Sequence, residues 1–274
     1  MPSLSIPLLP FSLEPYEVDQ LATKLCVSHP DILRIMTAGD IVFLWSNRRR
    51  LLGVFDFDGT LAGLGGSLTE SRKDFLRALN HQFPICINSA QALGYLLENA
   101  GRDVFAAISS ECGVEILGID GQVSSSNTPD YSLYLLEMRN YLRLRGWGKL
   151  RVNEKVAGFA VDLRDVSPQV YAAVCGKVTE LASDSDFRCV PTPGYVDLCL
   201  VSENKGKALD TLKKQFPDRV VIAAGDGSSD LPMLKKADLA FAVGGLQCQH
   251  AVDVAGPDEL YRVLQWLAYT ASLP

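Results

Sequence analysis

From residue 51 onward, short apolar runs take turns with stretches whose apolar positions recur every three or four residues. That alternation predicts strands and helices in sequence, and so a parallel sheet flanked by helices. LLGVFDFD (51–58) opens the series. TESRKDFLRALN (69–80) predicts a helix with Thr69 as its N-cap, FPICINS a second strand, and AQALGYLLENAG a helix closed by Gly101 in a left-handed C-terminal position. VFAAIS (104–109) reads as a third strand, and ECGVEILGIDGQV as a hairpin turning at Asp120-Gly121. The rhythm then changes. Between about 124 and 192 the spacing predicts a helix over 131–145, a strand GFAVDLRD, a helix over 168–182 and a strand FRCVPT, with YVDLCLVS closing the interruption. Alternation resumes with a helix over 205–216, the strand DRVVIAAGD, a short helix SSDLPMLKKA, the strand DLAFAVG and a last helix, AGPDELYRVLQWLAYT. The first fifty residues fit none of this. They predict helices over 16–26 and 30–36 and a strand IVFLW before the basic run at 47–50, with no readable role.

The expected fold class is therefore α/β: a doubly wound parallel-sheet core formed by residues 51–122 and 201–274, an inserted smaller α+β unit over 123–200, and an N-terminal extension over 1–50. A chain of 274 residues, 47% hydrophobic and 21% charged, is long enough for a core domain carrying a smaller one. A net charge of −6 provides no positive field to draw in nucleic acid or an anionic membrane surface, so an anionic ligand must be held locally. No stretch approaches the length of uncharged apolar sequence that a membrane span needs. The N-terminal segment is broken by Pro2, Pro7, Pro10 and Pro15 and lacks the leading basic residues of a secretory signal, which makes the cytoplasm the expected location. Seven scattered cysteines without a CxxC pair are expected as reduced core residues.

In an open parallel sheet, ligands sit beyond the carboxyl ends of the strands. The first core strand ends in Asp56-Phe57-Asp58-Gly59-Thr60, the second in Asn88-Ser89, and VVIAAGD in Asp226, with Asp230 one helical turn later; Lys205 stands at the start of the helix after the insertion. Carboxylates gathered in one crevice repel each other unless a hard cation such as Mg²⁺ neutralises them, and Mg²⁺ takes carboxylates together with water and phosphate oxygens. Beside such a cation one carboxylate can attack phosphorus to give an aspartyl-phosphate. Gly59 lets backbone N–H groups come close to phosphoryl oxygens.

DFDGTL, the Ser89 strand end, Lys205 and GDGSSDLPML (225–234) resemble the four motifs of the haloacid-dehalogenase (HAD) superfamily of phosphohydrolases, over residues 51 to about 245. The resemblance implies that Asp56 is the nucleophile and Asp58 the general acid/base. It also implies that Asp56, the Asp58 carbonyl and Asp226 hold Mg²⁺ with Asp230 orienting the metal shell, and that Gly59, Thr60, Ser89 and Lys205 bind the phosphoryl group. The insertion falls where the family places its larger α/β cap, a lid over the site. VNEKVAGFAVDLRD (152–165) and GYVDLCLVSENKGKAL (194–209) look most like trehalose-6-phosphate phosphatases and related sugar-phosphate phosphatases. That likeness suggests Glu154, Lys155 and Arg164 as substrate contacts from the cap.

Three positions depart from the family pattern. Ser89-Ala90-Gln91 stands where the family has Ser/Thr-Gly-Arg, Gly227-Ser228-Ser229 follows Asp226 without a second adjacent acid, and Asn153 sits where the cap element has its acid. The expected function is Mg²⁺-dependent hydrolysis of a small phosphorylated metabolite, a sugar phosphate first. Two alternatives remain at this point: a non-sugar substrate such as a phospho-amino acid, or a catalytically weak domain that binds a phosphorylated ligand or a partner. Lys207 competes with Lys205 for the phosphate-binding role. Ser89 could be a simple helix cap, Asp226 and Asp230 an N-cap and first-turn acid of a helix, and Trp147 reads as a packing residue.

Overall fold

The computed structural model describes residues 13–192 and 194–273, so the signal-peptide reading of residues 1–12 lies outside the described residues. The described residues open with three helices, α1 (Pro15–Leu25), α2 (Ile32–Ile35) and α3 (Ala38–Asn47). The third replaces the strand expected at IVFLW. Thr37 and Asp40 form a reciprocal capping box, with the Thr37 hydroxyl accepting from the Asp40 N–H at 3.2 Å and the Asp40 carboxylate accepting from the Thr37 N–H at 3.1 Å. Ile41, Val42, Phe43 and Leu44 are all buried, and a run buried on every side carries no period by which a strand differs from a helix.

The core follows: β1 (Leu51–Phe55), α4 (Glu70–Gln82), β2 (Ile85–Asn88), α5 (Leu93–Ala100), β3 (Ala107–Ser110), then the hairpin of β4 (Glu115–Leu117) and β5 (Val123–Ser125). Thr69 caps α4 as its sequence predicts, accepting from the Arg72 N–H, and Gly101 ends α5 at φ +90°. The insertion comprises α6 (Ser132–Leu144), β6 (Val152–Lys155), β7 (Gly158–Asp162), α7 (Pro168–Ala182), β8 (Phe187–Thr192) and β9 (Tyr195–Leu200). The core resumes with α8 (Lys205–Gln215), β10 (Val220–Gly225), α9 (Leu231–Leu234), β11 (Leu239–Val243), β12 (Ala251–Val254) and α10 (Pro257–Ala271). The edge strand β12 and the cap strand β6 had no clear sequence signal, being short, half-exposed and interrupted by Asp253 or Asn153-Glu154.

One sheet of eight strands runs in the order β12-β11-β10-β1-β2-β3-β4-β5, parallel from β12 to β3 and antiparallel thereafter. The insertion forms a separate antiparallel sheet, β6-β7-β9-β8. Both faces of the large sheet are covered, and the period of two along β1 divides it between two cores. Leu51 and Phe55 pack with α1, α3, α4 and α10, whereas Leu52 and Val54 pack with Leu209, Leu212 and Phe216 on the α8 side. The N-terminal helices are thus part of the main core. The buried Trp266 of α10 donates its indole N–H to the Leu25 carbonyl at 3.2 Å. The inserted sheet has its own core around Phe159, Val161, Val174 and Val196, into which Trp147 packs. Among the described residues no helix is long and apolar enough to cross a membrane.

Candidate active site

The parallel strands β10, β1 and β2 lie side by side, so their carboxyl ends and the segments that follow converge on one edge of the sheet. Asp56 directly follows β1 and donates its N–H to the Ala224 carbonyl at 2.9 Å, which continues the β1–β10 ladder by one residue. The backbone then turns through Gly59 at φ +77°. A Cβ there would sit 2.2 Å from an Asp226 carboxylate oxygen, so only glycine lets the two loops meet. Thr60, fully buried, directs its hydroxyl to Asp226 at 3.5 Å.

Asp226 directly follows β10, and Asp230 lies in the short turn before α9. A Cβ on Gly225 would fall 2.3 Å from the Asp230 carboxyl carbon, so the strand end must be bare for Asp230 to tuck beneath it. Asp230 also accepts from the Gly227 N–H at 2.9 Å. Carboxylate oxygens of Asp56, Asp226 and Asp230 lie within 4.8 Å of one another.

Lys205 binds this cluster together. It is the first residue of α8, set there by the Asn204 N-cap, whose side-chain oxygen accepts from Gly206 N at 2.9 Å and Lys207 N at 3.1 Å. Asn88, at the end of β2, holds the Lys205 carbonyl at 2.8 Å. Only 1% exposed, Lys205 reaches Asp56 and Asp230 at 2.5 Å each. Lys207 instead points its ammonium at the Ser202 carbonyl near the surface.

Charge explains the electrostatics of the cluster. Burial disfavours the ionised carboxylates, and the single ammonium offsets this only in part, so Asp56 and Asp230 are both pushed up to about 6. Burial and then Asp230 raise Asp226 as well. Burial alone would lower Lys205, but Asp230 and Asp56 more than reverse it and hold the ammonium charged. Three carboxylates against one ammonium leave two negative charges in a hard-oxygen setting, which fits a dication such as Mg²⁺.

Asp58 is outside that cluster. One of its oxygens accepts from Gln91 Nε2 at 2.7 Å, and the other from Gly65 N at 3.1 Å and the Tyr95 hydroxyl at 3.4 Å. Burial, followed by the nearby Asp58 charge, pushes the Tyr95 phenol up to about 12. Ser89 is buried; its N–H donates to Ser109 and its hydroxyl accepts from Gln91 N at 3.2 Å. The strand-end set Asp56, Asp58, Gly59, Thr60, Ser89, Lys205, Asp226 and Asp230 therefore occupies one region.

The three residues suggested from the inserted unit separate. Lys155 reaches the core: its ammonium donates to the Ala90 carbonyl at 3.1 Å and pairs with Asp197 at 2.5 Å. Burial lowers Lys155, but Asp197 more than reverses this and keeps it charged. Arg164 forks onto Asp162 and lies over the Tyr195 ring at 5.2 Å. Glu154 pairs with Arg139 at the surface of the inserted unit.

Three contributors escaped the sequence reading. Glu111, buried and at φ +48°, accepts from Val156 N at 2.8 Å and Ala157 N at 3.0 Å, tying the β6–β7 turn to the core. Asp197 neutralises Lys155, and Gln91 binds Asp58. Nothing marked Glu111, since glutamate is not among the residues that favour a positive φ. Gln91 stood out only as a departure from the second motif, and its contact with Asp58, like that of Asp197 with Lys155, lies on another element. The groove of about 410 Å³ between β5 and α8, lined by Ser124, Lys207, Thr211 and Lys214 among others, contains none of the site carboxylates.

Residues 177–247 match the family model described as haloacid dehalogenase-like hydrolase. None of the curated proteins matches the sequence. A solved trehalose-6-phosphate phosphatase related protein superposes with a TM-score of 0.65 at 19% identity, covering 80% of this chain and 97% of its own. The C-terminal domain of the C. albicans trehalose-6-phosphate phosphatase gives 0.66 at 17% identity over 85% and 96% of the two chains. A haloacid dehalogenase-like hydrolase from Bacteroides thetaiotaomicron gives 0.57 at 17% identity over 80% and 98%. The fold is that of these HAD-like proteins, with an α/β core and a separate antiparallel sheet inserted in it.

Proposed function

We propose that the protein is a phosphomonoester hydrolase that forms and hydrolyses an aspartyl-phosphate on Asp56. The observation that carries this reading is the buried Lys205 shared by Asp56 and Asp230 at 2.5 Å each, beside Asp226, at the carboxyl ends of β1 and β10. Such an arrangement holds a carboxylate oxygen ready for attack and supplies fixed positive charge for a transferring phosphoryl group. Asp56, Asp226 and Asp230, with the Asp58 carbonyl, would hold Mg²⁺, which when bound neutralises phosphoryl charge.

The remaining steps belong to side chains. Asp56 attacks phosphorus in line with the leaving oxygen, and Lys205 and the Ser89 hydroxyl accommodate the phosphoryl oxygens. Asp58 delivers a proton to the departing alcohol, then takes one from the water that attacks the aspartyl-phosphate. Asp56 is 6% exposed, Ser89 2% and Lys205 1%, so substrate entry requires the inserted unit to swing away from the core and its return excludes water.

The substrate we assign is a sugar phosphate. The architecture shared with trehalose-6-phosphate phosphatase structures supports this. So does the Lys155–Asp197 pair of the inserted unit, which reaches the Ala90 carbonyl next to Ser89 and brings polar groups to the phosphate-binding loop. The free cysteines belong with a reducing compartment, and the cytoplasm is the location we assign.

Phosphate release from a panel of sugar phosphates tests the proposal, with wild type and Asp56→Asn compared with and without Mg²⁺. The expected result is Mg²⁺-dependent release by wild type and a loss of at least about 10³-fold in the variant, in keeping with removal of a covalent nucleophile. Equal, slow release by both proteins from every ester would sink it.

A further inference from the structure

We infer that Gln91 is a positioning residue for the acid/base Asp58, holding one carboxyl oxygen through both protonation states so that the other faces the leaving group. The inference rests on the phosphatase reading above.

Among the described residues, Asp58 has no cationic partner in its hydrogen-bond shell. Its contacts are the Gln91 amide at 2.7 Å, the Gly65 N–H at 3.1 Å and the Tyr95 hydroxyl at 3.4 Å. The nearby ammonium groups are engaged elsewhere: Lys205 by Asp56 and Asp230, Lys155 by Asp197 and Ala90. The shortest of the three Asp58 contacts is the one to Gln91, and it alone occupies Oδ2.

Gln91 itself hangs from a fixed backbone. Its N–H donates to the Ser89 hydroxyl at 3.2 Å, and its carbonyl accepts from Glu111 N at 2.9 Å. The loop that presents Ser89 to the phosphoryl group therefore also presents an amide to the acid/base. Glu111 in turn grips the Val156-Ala157 turn of the inserted unit. Phosphate site, acid/base and lid meet at this residue.

The choice of an amide has a chemical consequence. An amide N–H can donate to a carboxylate oxygen and also to the carbonyl oxygen of a neutral carboxylic acid, and being uncharged it favours the ionised form less than a cation does. A guanidinium, which the HAD-type resemblance has at this position, favours the ionised form. Asp58 must pass through both forms in one turnover. As the Asp56 oxygen–phosphorus bond forms and the phosphorus–leaving-group bond breaks, the Asp58 O–H bond breaks and its proton goes to the leaving oxygen. Water then attacks phosphorus, the Asp56–phosphorus bond breaks, and the water proton returns to Asp58. Gln91 can keep Oδ2 in place throughout, while Oδ1, held by the Gly65 N–H and only loosely by the Tyr95 hydroxyl at 3.4 Å, carries the proton once the leaving oxygen takes the place of Tyr95.

The test uses the leaving group. Departure of an alkoxide from an alkyl phosphate needs protonation, whereas p-nitrophenolate leaves without it, so misplacing the acid harms only the first. Gln91→Met removes the N–H donors at nearly constant volume. The full-length variant is compared with wild type on an active sugar phosphate and on p-nitrophenyl phosphate, reading kcat/KM, which reports the step that expels the leaving group. The expected loss is about 10- to 100-fold on the alkyl ester, a fraction of what a general acid contributes, and less than about threefold on the aryl ester. The aryl activity doubles as the check that the variant is folded. Equal losses on both esters, or no loss on the alkyl ester, overturn the inference while the phosphatase reading stands. Failure of the Asp56→Asn comparison brings down both.

Discussion

The strand-end cluster and the inserted sheet both carry charge, but they hold it in opposite ways. At the ends of β1 and β10, Lys205 is shut away with Asp56 and Asp230, every member on a different element and fixed by backbone contacts. On the inserted unit, Glu154 and Arg139 are about half exposed and Arg164 is bound to its near neighbour Asp162. A buried charge without its partner costs several kcal/mol, so its neighbours are dictated, whereas an exposed pair contributes little and can be exchanged. Lys155 is the exception. It belongs to the inserted sheet yet is largely shielded with Asp197 and touches Ala90 of the core, so it behaves like a member of the cluster.

That contrast can be broken at its strongest point by Lys205→Met. Two carboxylates then lose their common ammonium, and unfolding free energy should drop by about 3–5 kcal/mol with phosphate release abolished. Denaturant titration beside the activity assay reads both; a variant as stable as wild type would mean that the cluster is not held by this charge. Next in size is Glu111→Ala, which frees the Val156 and Ala157 N–H groups and loosens the lid. Its KM should rise about tenfold, the scale of one lost charge-assisted contact, with a smaller change in kcat. A fall in kcat at unchanged KM would speak against a role in closing the lid.

A third measurement sharpens the electrostatic half. Asp230 in the metal-free protein is raised to about 6. A carboxyl raised on folding binds its proton more tightly in the native state, so its stabilising contribution is present at low pH and lost as pH climbs from about 4 through 6. In chelator, wild type should therefore lose thermal stability relative to Asp230→Asn across that window, and added Mg²⁺ should restore it at pH 7 far more than at pH 4. A flat difference between the two proteins would contradict the burial argument. The smallest effect is expected from Glu154→Ala, within about 0.5 kcal/mol of wild type, as for an exposed ion pair. A large shift there would erase the distinction between the two regions.

The same contrast governs what the sequence reveals. Asp56, Asp226 and Lys205 could be read because each is tied to a local pattern: an apolar run that stops at an acid, or a helix start after Asn204. Strand period and turn chemistry place such residues without knowledge of distant contacts. Gln91, Glu111 and Asp197 could not be read, since an amide or acid in a loop or on a half-buried strand acquires meaning only from the partner that folding brings to it. The α3 segment failed for a different reason. With residues 41–44 buried on all sides, the only discriminating signal was the Thr37–Asp40 box upstream of them.

The sheet's central pairing also imposes an order on biosynthesis. β1 is flanked by β2 and by β10, and Leu51 finds its β10 neighbour at Val220, on the far side of the whole insertion. Trp266 meets Leu25 later still. A ribosome delivers the chain from its N-terminus, so β1 emerges with one edge unpaired and the apolar faces of α1 and α3 uncovered until nearly the entire polypeptide has been made. The inserted unit, by contrast, draws its sheet from a single continuous stretch and can assemble while the core waits. Such long-range closure makes the core the slow step of folding and the nascent chain a natural client for chaperones.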